Sequence, residues 1–190
     1  EPVTPPAVAT IPAYPVGAIL DDDSPMPEDL LAPRILTPSG LAVFGGAPKV
    51  GKSDFLFSLL VHAAAGRPFL GFIPPRPLNV FCLQTEIGYH YLRERLQQMD
   101  IDPEILPLVR KNLVITPQVR LILDDKGVEM VRETIARHFD PKLLDVIAID
   151  PLRNVFDAGE NGGENDNTAM LNFLQERVEK LRFLVNPEAG

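Results

Sequence analysis

Apolar residues along this chain fall into two patterns. Short, largely apolar runs occupy residues 41–44 (Leu41, Ala42, Val43, Phe44), 78–83, 113–116 and 143–149. Runs of this length bounded by turn formers read as buried strands. Between them, apolar positions recur at helical spacing. Residues 54–65 predict a helix that is apolar on most sides, with Asp54, Ser58 and His62 as a narrow polar stripe and Gly66 as its closing cap. His62 on that stripe reads as a solvated histidine rather than a ligand. Residues 89–99 put Leu92, Leu96 and Met99 on one face, and residues 127–139 put Val128, Val131, Ile135 and Phe139 inward. Asp166 or Asn167 is placed to cap a last helix whose seam is Leu171, Leu174, Val178 and Leu181. Near-continuous apolar strands alternating with helices predict an α/β fold, a mostly parallel sheet with helices on both faces.

Composition changes this picture at one end. The 190 residues are 45% hydrophobic, enough for one domain with a sizeable core. Residues 1–33 differ: they hold 8 of the 20 prolines and six of the acids, with no Lys or Arg. Six of the eight net negative charges therefore sit there, and the remainder is close to neutral. Such a segment cannot offset its ordering entropy by burial. The division expected is residues 1–33 as a Pro-rich acidic tail or linker and residues 34–190 as the domain, with Ile11, Tyr14 and Ile19 as the tail side chains able to pack. No apolar run reaches the roughly 18 residues of a membrane span. No basic region followed by an apolar core opens the chain. The single cysteine, Cys82, lies in an apolar run and gives no disulfide frame. The expectation is a soluble, cytoplasmic protein with no membrane partner.

Candidate chemistry starts at Gly46, Ala47, Pro48, Lys49, Val50, Gly51, Lys52 and Ser53, which fit G-x-x-x-x-G-K-[ST] between a candidate strand and a candidate helix. This is the phosphate-binding loop of nucleoside-triphosphatases. Gly46 and Gly51 are expected to take backbone conformations closed to other residues and to allow close approach of phosphate. The N–H groups at the helix start point into one concavity, where the helix dipole adds positive potential. Lys52 would reach the β- and γ-phosphates of ATP, and the Ser53 hydroxyl would ligate Mg²⁺. Lys49 faces either phosphate or solvent.

Two acids complete the constellation. Asp150 follows an apolar run and precedes Pro151, which suits the acidic strand tip that holds Mg²⁺. Its plainer reading is a strand-ending turn. Glu86 closes Gln84-Thr85-Glu86 at the carboxyl end of another strand, where the ligand crevice of an open α/β sheet lies. It is the candidate general base that deprotonates the attacking water, the alternative being a solvated glutamate at a helix start.

These segments, with 63–72 (Ala-Ala-Ala-Gly-Arg-Pro-Phe-Leu-Gly-Phe), 146–156 around Asp150-Pro151-Leu152, and Glu164-Asn165, resemble the RepA-like ATPases over roughly residues 34–185. These are RecA-like P-loop NTPases, related to a plasmid replicative helicase and grouped among AAA-type domains. The resemblance implies that Glu86 is the catalytic glutamate and Asp150 the Mg²⁺-linked aspartate. It also implies ring-shaped homo-oligomers, often hexamers, with ATP between subunits and single-stranded DNA in the channel. In that family a further strand ending in histidine follows, inserted between the phosphate-loop strand and the Asp-tipped strand, and later strands supply an arginine finger. The chain is therefore expected to be an N-terminal portion, with its sheet incomplete at the C-terminal end and weak activity alone. Arg93, Arg95 and Arg153 are either partial substitutes for the finger or ordinary surface arginines.

Three functions share the loop: a DNA helicase motor acting in DNA replication or mobile-element maintenance, a regulatory or assembly ATPase without helicase activity, and a small-molecule kinase. The acidic stretch 157–168 would repel phosphates, which disfavours the kinase.

Overall fold

The computed structural model describes residues 12–156 and 167–190. Expectations about Ile11, most of the acidic stretch 157–168, Glu164-Asn165 and an Asp166 cap lie outside the described residues. The centre is a three-stranded parallel sheet of β1 (Val80–Gln84), β2 (Leu113–Ile115) and β3 (Val146–Asp150), in the order β2-β1-β3. Side chains alternate across it. Val80 and Cys82 of β1 and Val146 of β3 face α2 (Lys52–Ala65) and α3 (Tyr89–Gln98). Phe81 and Leu83 face α5 (Asp125–His138) and α7 (Glu179–Val185, after α6, Asn167–Phe173). Helices on both faces leave β1 sealed, which is why it is apolar from Val80 to Leu83 and polar only at its last residue, Gln84.

The run at residues 41–44 departs from its expected role. It is not a strand: no ladder bond reaches it among the described residues, and Leu41, Val43 and Phe44 are 49%, 67% and 43% exposed. The physical reason is the lack of a neighbour, since an extended segment is a strand only when another backbone satisfies its edge. Phe44 is held instead by an aromatic cluster, 5.6 Å from Phe55 of α2 and 6.3 Å from Phe72 between ring centroids. Between this segment and β3 runs a cavity of about 210 Å³. Gly190 reaches its wall. Its N–H donates to Asp145 O and its carbonyl accepts from Ile147 N–H, both at 2.9 Å.

Other boundaries shift modestly. Leu30 and Leu31 are buried, so the core takes in residues just ahead of 34, whereas Tyr14 and Ile19 are exposed and α1 (Val16–Leu20) buries nothing. α4 (Leu106–Asn112) is unanticipated; its proline sits in the first turn, where no N–H is needed, so Pro107 helps start the helix rather than break it. Asp124 caps α5 by accepting from Gly127 N–H at 2.8 Å, three residues before the expected start. The final seam also differs. A π-helical stretch, Leu174–Val178, joins α6 to α7 and rotates the face. Of the expected seam, Leu181 is buried and Val178 packs against the core, but Leu171 is exposed at 53%, and Phe173 and Val185 join the core in addition.

Candidate active site

The loop from Gly45 to Gly51 is exposed and delivers the chain into α2. Gly51 caps the helix at φ 84°, in the left-handed region that glycine occupies without strain. The first intrahelical bond is Phe55 N–H to Gly51 O at 2.9 Å. The N–H groups of Lys52, Ser53 and Asp54 precede it and have no partner in the helix, so the helix start carries the donors that an anion would need. Gly46 does not behave as expected. It has no positive φ, and the second left-handed residue of the loop is Lys49 at 62°. A Cβ at Gly46 would meet Lys52 and Val50 only at an ordinary 3.6 Å, so the fold itself makes no demand for glycine there. Close approach of a ligand is the requirement that remains. Lys52 Nζ donates to Gly46 O at 2.9 Å and Ala47 O at 2.7 Å, folding the loop back over its own lysine. Lys49 is exposed.

Asp150 ends β3 on the α2 side of the sheet, in register with Gln84 of β1. Its charge is felt by Cys82 on the same face: burial first, and Asp150 second, push the Cys82 thiol well above its ordinary range. The thiol is thus an inert core group. Asp150 and Lys52 line one cavity, together with Ala42, Phe44, Leu56 and Pro151. A lysine at the helix start and a strand-tip carboxylate, more than ninety residues apart in sequence, therefore border one cavity. Glu86 lies just past the neighbouring strand, outside the lining of that cavity. Its Oε1 accepts from Arg153 Nη2 at 3.3 Å and Asn154 Nδ2 at 3.4 Å. The turn after β3 thus holds the carboxylate that follows β1. Arg95 pairs instead with Asp54 at 3.5 Å and lies over the Phe57 ring. Arg153 is the arginine of the three that touches the candidate site. His62 is a structural group, with Nδ1 2.7 Å from Ser58 O and its ring 4.8 Å from Phe69.

Gln84 was not singled out by its sequence position. It is 1% exposed, and its Oε1 has no hydrogen-bond partner. An empty buried acceptor costs about 1–3 kcal/mol. Arg153 and Asn154 were also illegible as partners of Glu86, because only the sheet brings positions 86 and 153 together. Among the described residues no group of three or more His, Cys, Asp or Glu is placed to hold a metal ion. Magnesium in a phosphate site needs no such cluster, because it keeps several waters and takes oxygens from the phosphates. The Ser53 hydroxyl at the start of α2 and the Asp150 carboxylate on the α2 side of the sheet are hard oxygen donors of the kind the ion takes. The residues fit the ion.

The chain matches the family model described as AAA domain over residues 6–185. It belongs to that family, and it is a P-loop-type nucleotide-binding domain of the ATPase class. No individual curated protein matches it. Among the described residues no helix is long and apolar enough to cross a membrane.

Proposed function

We propose that this chain is the ATP-binding and ATP-hydrolysing motor domain of a RepA-like DNA helicase with a RecA-like sheet, acting on single-stranded DNA as a ring-shaped homo-oligomer in DNA replication or mobile-element maintenance. The observation that carries the ATPase part is the meeting of Lys52 and Asp150 at one cavity, with Glu86 at the end of the adjacent strand. The resemblance over residues 34–185 supports the helicase part.

The loop N–H groups bind the phosphates, and the Lys52 ammonium exchanges its two carbonyl partners for phosphate oxygen. Ser53 Oγ and Asp150 would hold Mg²⁺, which when bound would neutralise charge developing on the phosphates. Glu86 accepts a proton from the attacking water at a carboxylate oxygen. Arg153 and Asn154 orient that carboxylate, so Glu86 is held before nucleotide arrives.

The test is ATP binding and turnover by the purified protein, with and without single-stranded DNA. Lys52→Ala is expected to lose nucleotide binding or turnover by at least about 100-fold, and Glu86→Gln to bind ATP but hydrolyse it at least about 100-fold more slowly. Undiminished turnover in Lys52→Ala would refute the site. Stimulation by single-stranded DNA supports the motor; intact hydrolysis indifferent to DNA replaces it with a regulatory ATPase.

A further inference from the structure

Gln84 is a buried side chain whose oxygen has no donor. Native proteins rarely leave such an acceptor empty without a reason. Its backbone is satisfied, since Gln84 O accepts from Thr116 Oγ1 at 2.7 Å, so the deficit belongs to the side chain alone. The sheet sets where that side chain stands. Val80 and Cys82 pack beneath α2, and Phe81 and Leu83 pack on the opposite face. Alternation puts Gln84 with Val80 and Cys82. Its register partner is Asp150, on that same face, and Asp150 shares a cavity with Lys52 at the start of α2. Gln84 therefore lies at the carboxyl end of the sheet on the α2 side, one strand from Asp150 and buried just behind the lining of that cavity. Magnesium keeps part of its hydration shell, and the hydrogens of those waters need acceptors.

We propose that Gln84 Oε1 accepts a hydrogen bond from a water of the Mg²⁺–nucleotide hydration shell, and so fixes that shell beside Asp150. This rests on reading residues 46–53 as the nucleotide loop. Gln84 touches neither metal nor phosphate and is a positioning residue.

The experiment compares wild type, Gln84→Leu and Gln84→Glu in two measurements. One is the melting temperature without ligand. The other is binding of a fluorescent ATP analogue by the purified protein, in EDTA and across a Mg²⁺ titration. Gln84→Leu removes the empty acceptor, so its ligand-free melting temperature should equal or exceed that of wild type. Its half-saturating Mg²⁺ concentration should rise about 10-fold or more, the usual effect of losing an outer-shell partner. Binding in EDTA should be unchanged. Gln84→Glu keeps an oxygen acceptor and should restore the Mg²⁺ half-point to within about threefold of wild type. Gln84→Met serves as the removal variant should leucine fail to fold. An unchanged Mg²⁺ half-point in the removal variant, or an equal loss in Gln84→Glu, overturns the proposal while wild-type binding leaves the nucleotide reading standing. Wild type that binds no nucleotide overturns both.

Discussion

Residues 41–44 and residues 80–83 are two apolar runs of the same length, and the protein uses them differently. Val80, Phe81 and Cys82 are 0% exposed, paired with β2 on one side and β3 on the other. Leu41, Val43 and Phe44 remain substantially exposed beside a cavity, anchored through one aromatic cluster. Both runs carry the composition of a buried strand. What separates them is the number of neighbouring backbones. β1 has two, so its peptide groups are satisfied and its side chains are covered from both faces. The 41–44 segment has none in ladder contact, so its apolar side chains have little to bury against. The segment that leads into residues 46–53 is thus weakly held, whereas the strand that leads to Glu86 is paired on both sides and sealed.

Paired truncations test this contrast most directly. Phe81→Ala should cost about 3–5 kcal/mol of unfolding free energy, the usual cost of emptying a sealed aromatic site. Phe44→Ala should cost only about 1 kcal/mol, mostly the loss of its ring contacts. Denaturant midpoints measured on both variants check the difference, and equal losses would mean that the 41–44 segment is as well supported as β1.

Below the sheet, Asp145 ties β3 to the start of β1. It accepts from Arg76 Nη2 at 2.7 Å and Nη1 at 3.1 Å and from Asn79 N–H at 2.8 Å, and it holds the Arg76 guanidinium above its ordinary range. Arg76 is half exposed and can rehydrate, so the ion pair itself contributes little. Asp145→Ala should still cost about 1–3 kcal/mol, because the Asn79 N–H loses its acceptor. Nucleotide binding, on the opposite end of the strands, should be unchanged in the same variant.

The smallest effect is expected at the edge of the other face. The Asp125 carboxyl is held below its usual value of 3.8 by its hydrogen bond to Lys180, then by the charges of Lys180 and Arg177. A lowered folded value stabilises above the unfolded value and loses that contribution as pH falls through the folded one. Asp125→Asn should therefore be slightly less stable than wild type at neutral pH and indistinguishable from it well below pH 3.8. Unfolding midpoints across the acid range would show a constant difference if Asp125 acts other than through its charge.

Much of the architecture was legible in the chain. The helix after the loop, the amphipathic helix at 125–138 and the three strand cores are encoded by local periodicity and survive nearly unchanged. Lys52 and Asp150 were legible as candidates because each sits in a local motif. The π-helical turn after Phe173 was not, since a shift of one residue in a helical ladder answers to packing against α5 rather than to propensity. Neither was the clamp of Arg153 and Asn154 on Glu86, whose members have no sequence relation to one another. Gly46 was assigned a backbone role that the structure gives to Lys49, because a motif names positions without fixing which of them bends the chain.

The sequence by itself determined the phosphate-loop motif, the alternation of apolar runs with helices, and the apolar face of α5, all properties of neighbours a few residues apart. Tertiary structure alone decided which apolar run became a strand, that Lys52 and Asp150 share an opening, and that Gln84 keeps a buried oxygen without a donor. Those outcomes depend on hydrogen-bond partners and burial contributed by residues tens of positions away, and no local pattern contains that information.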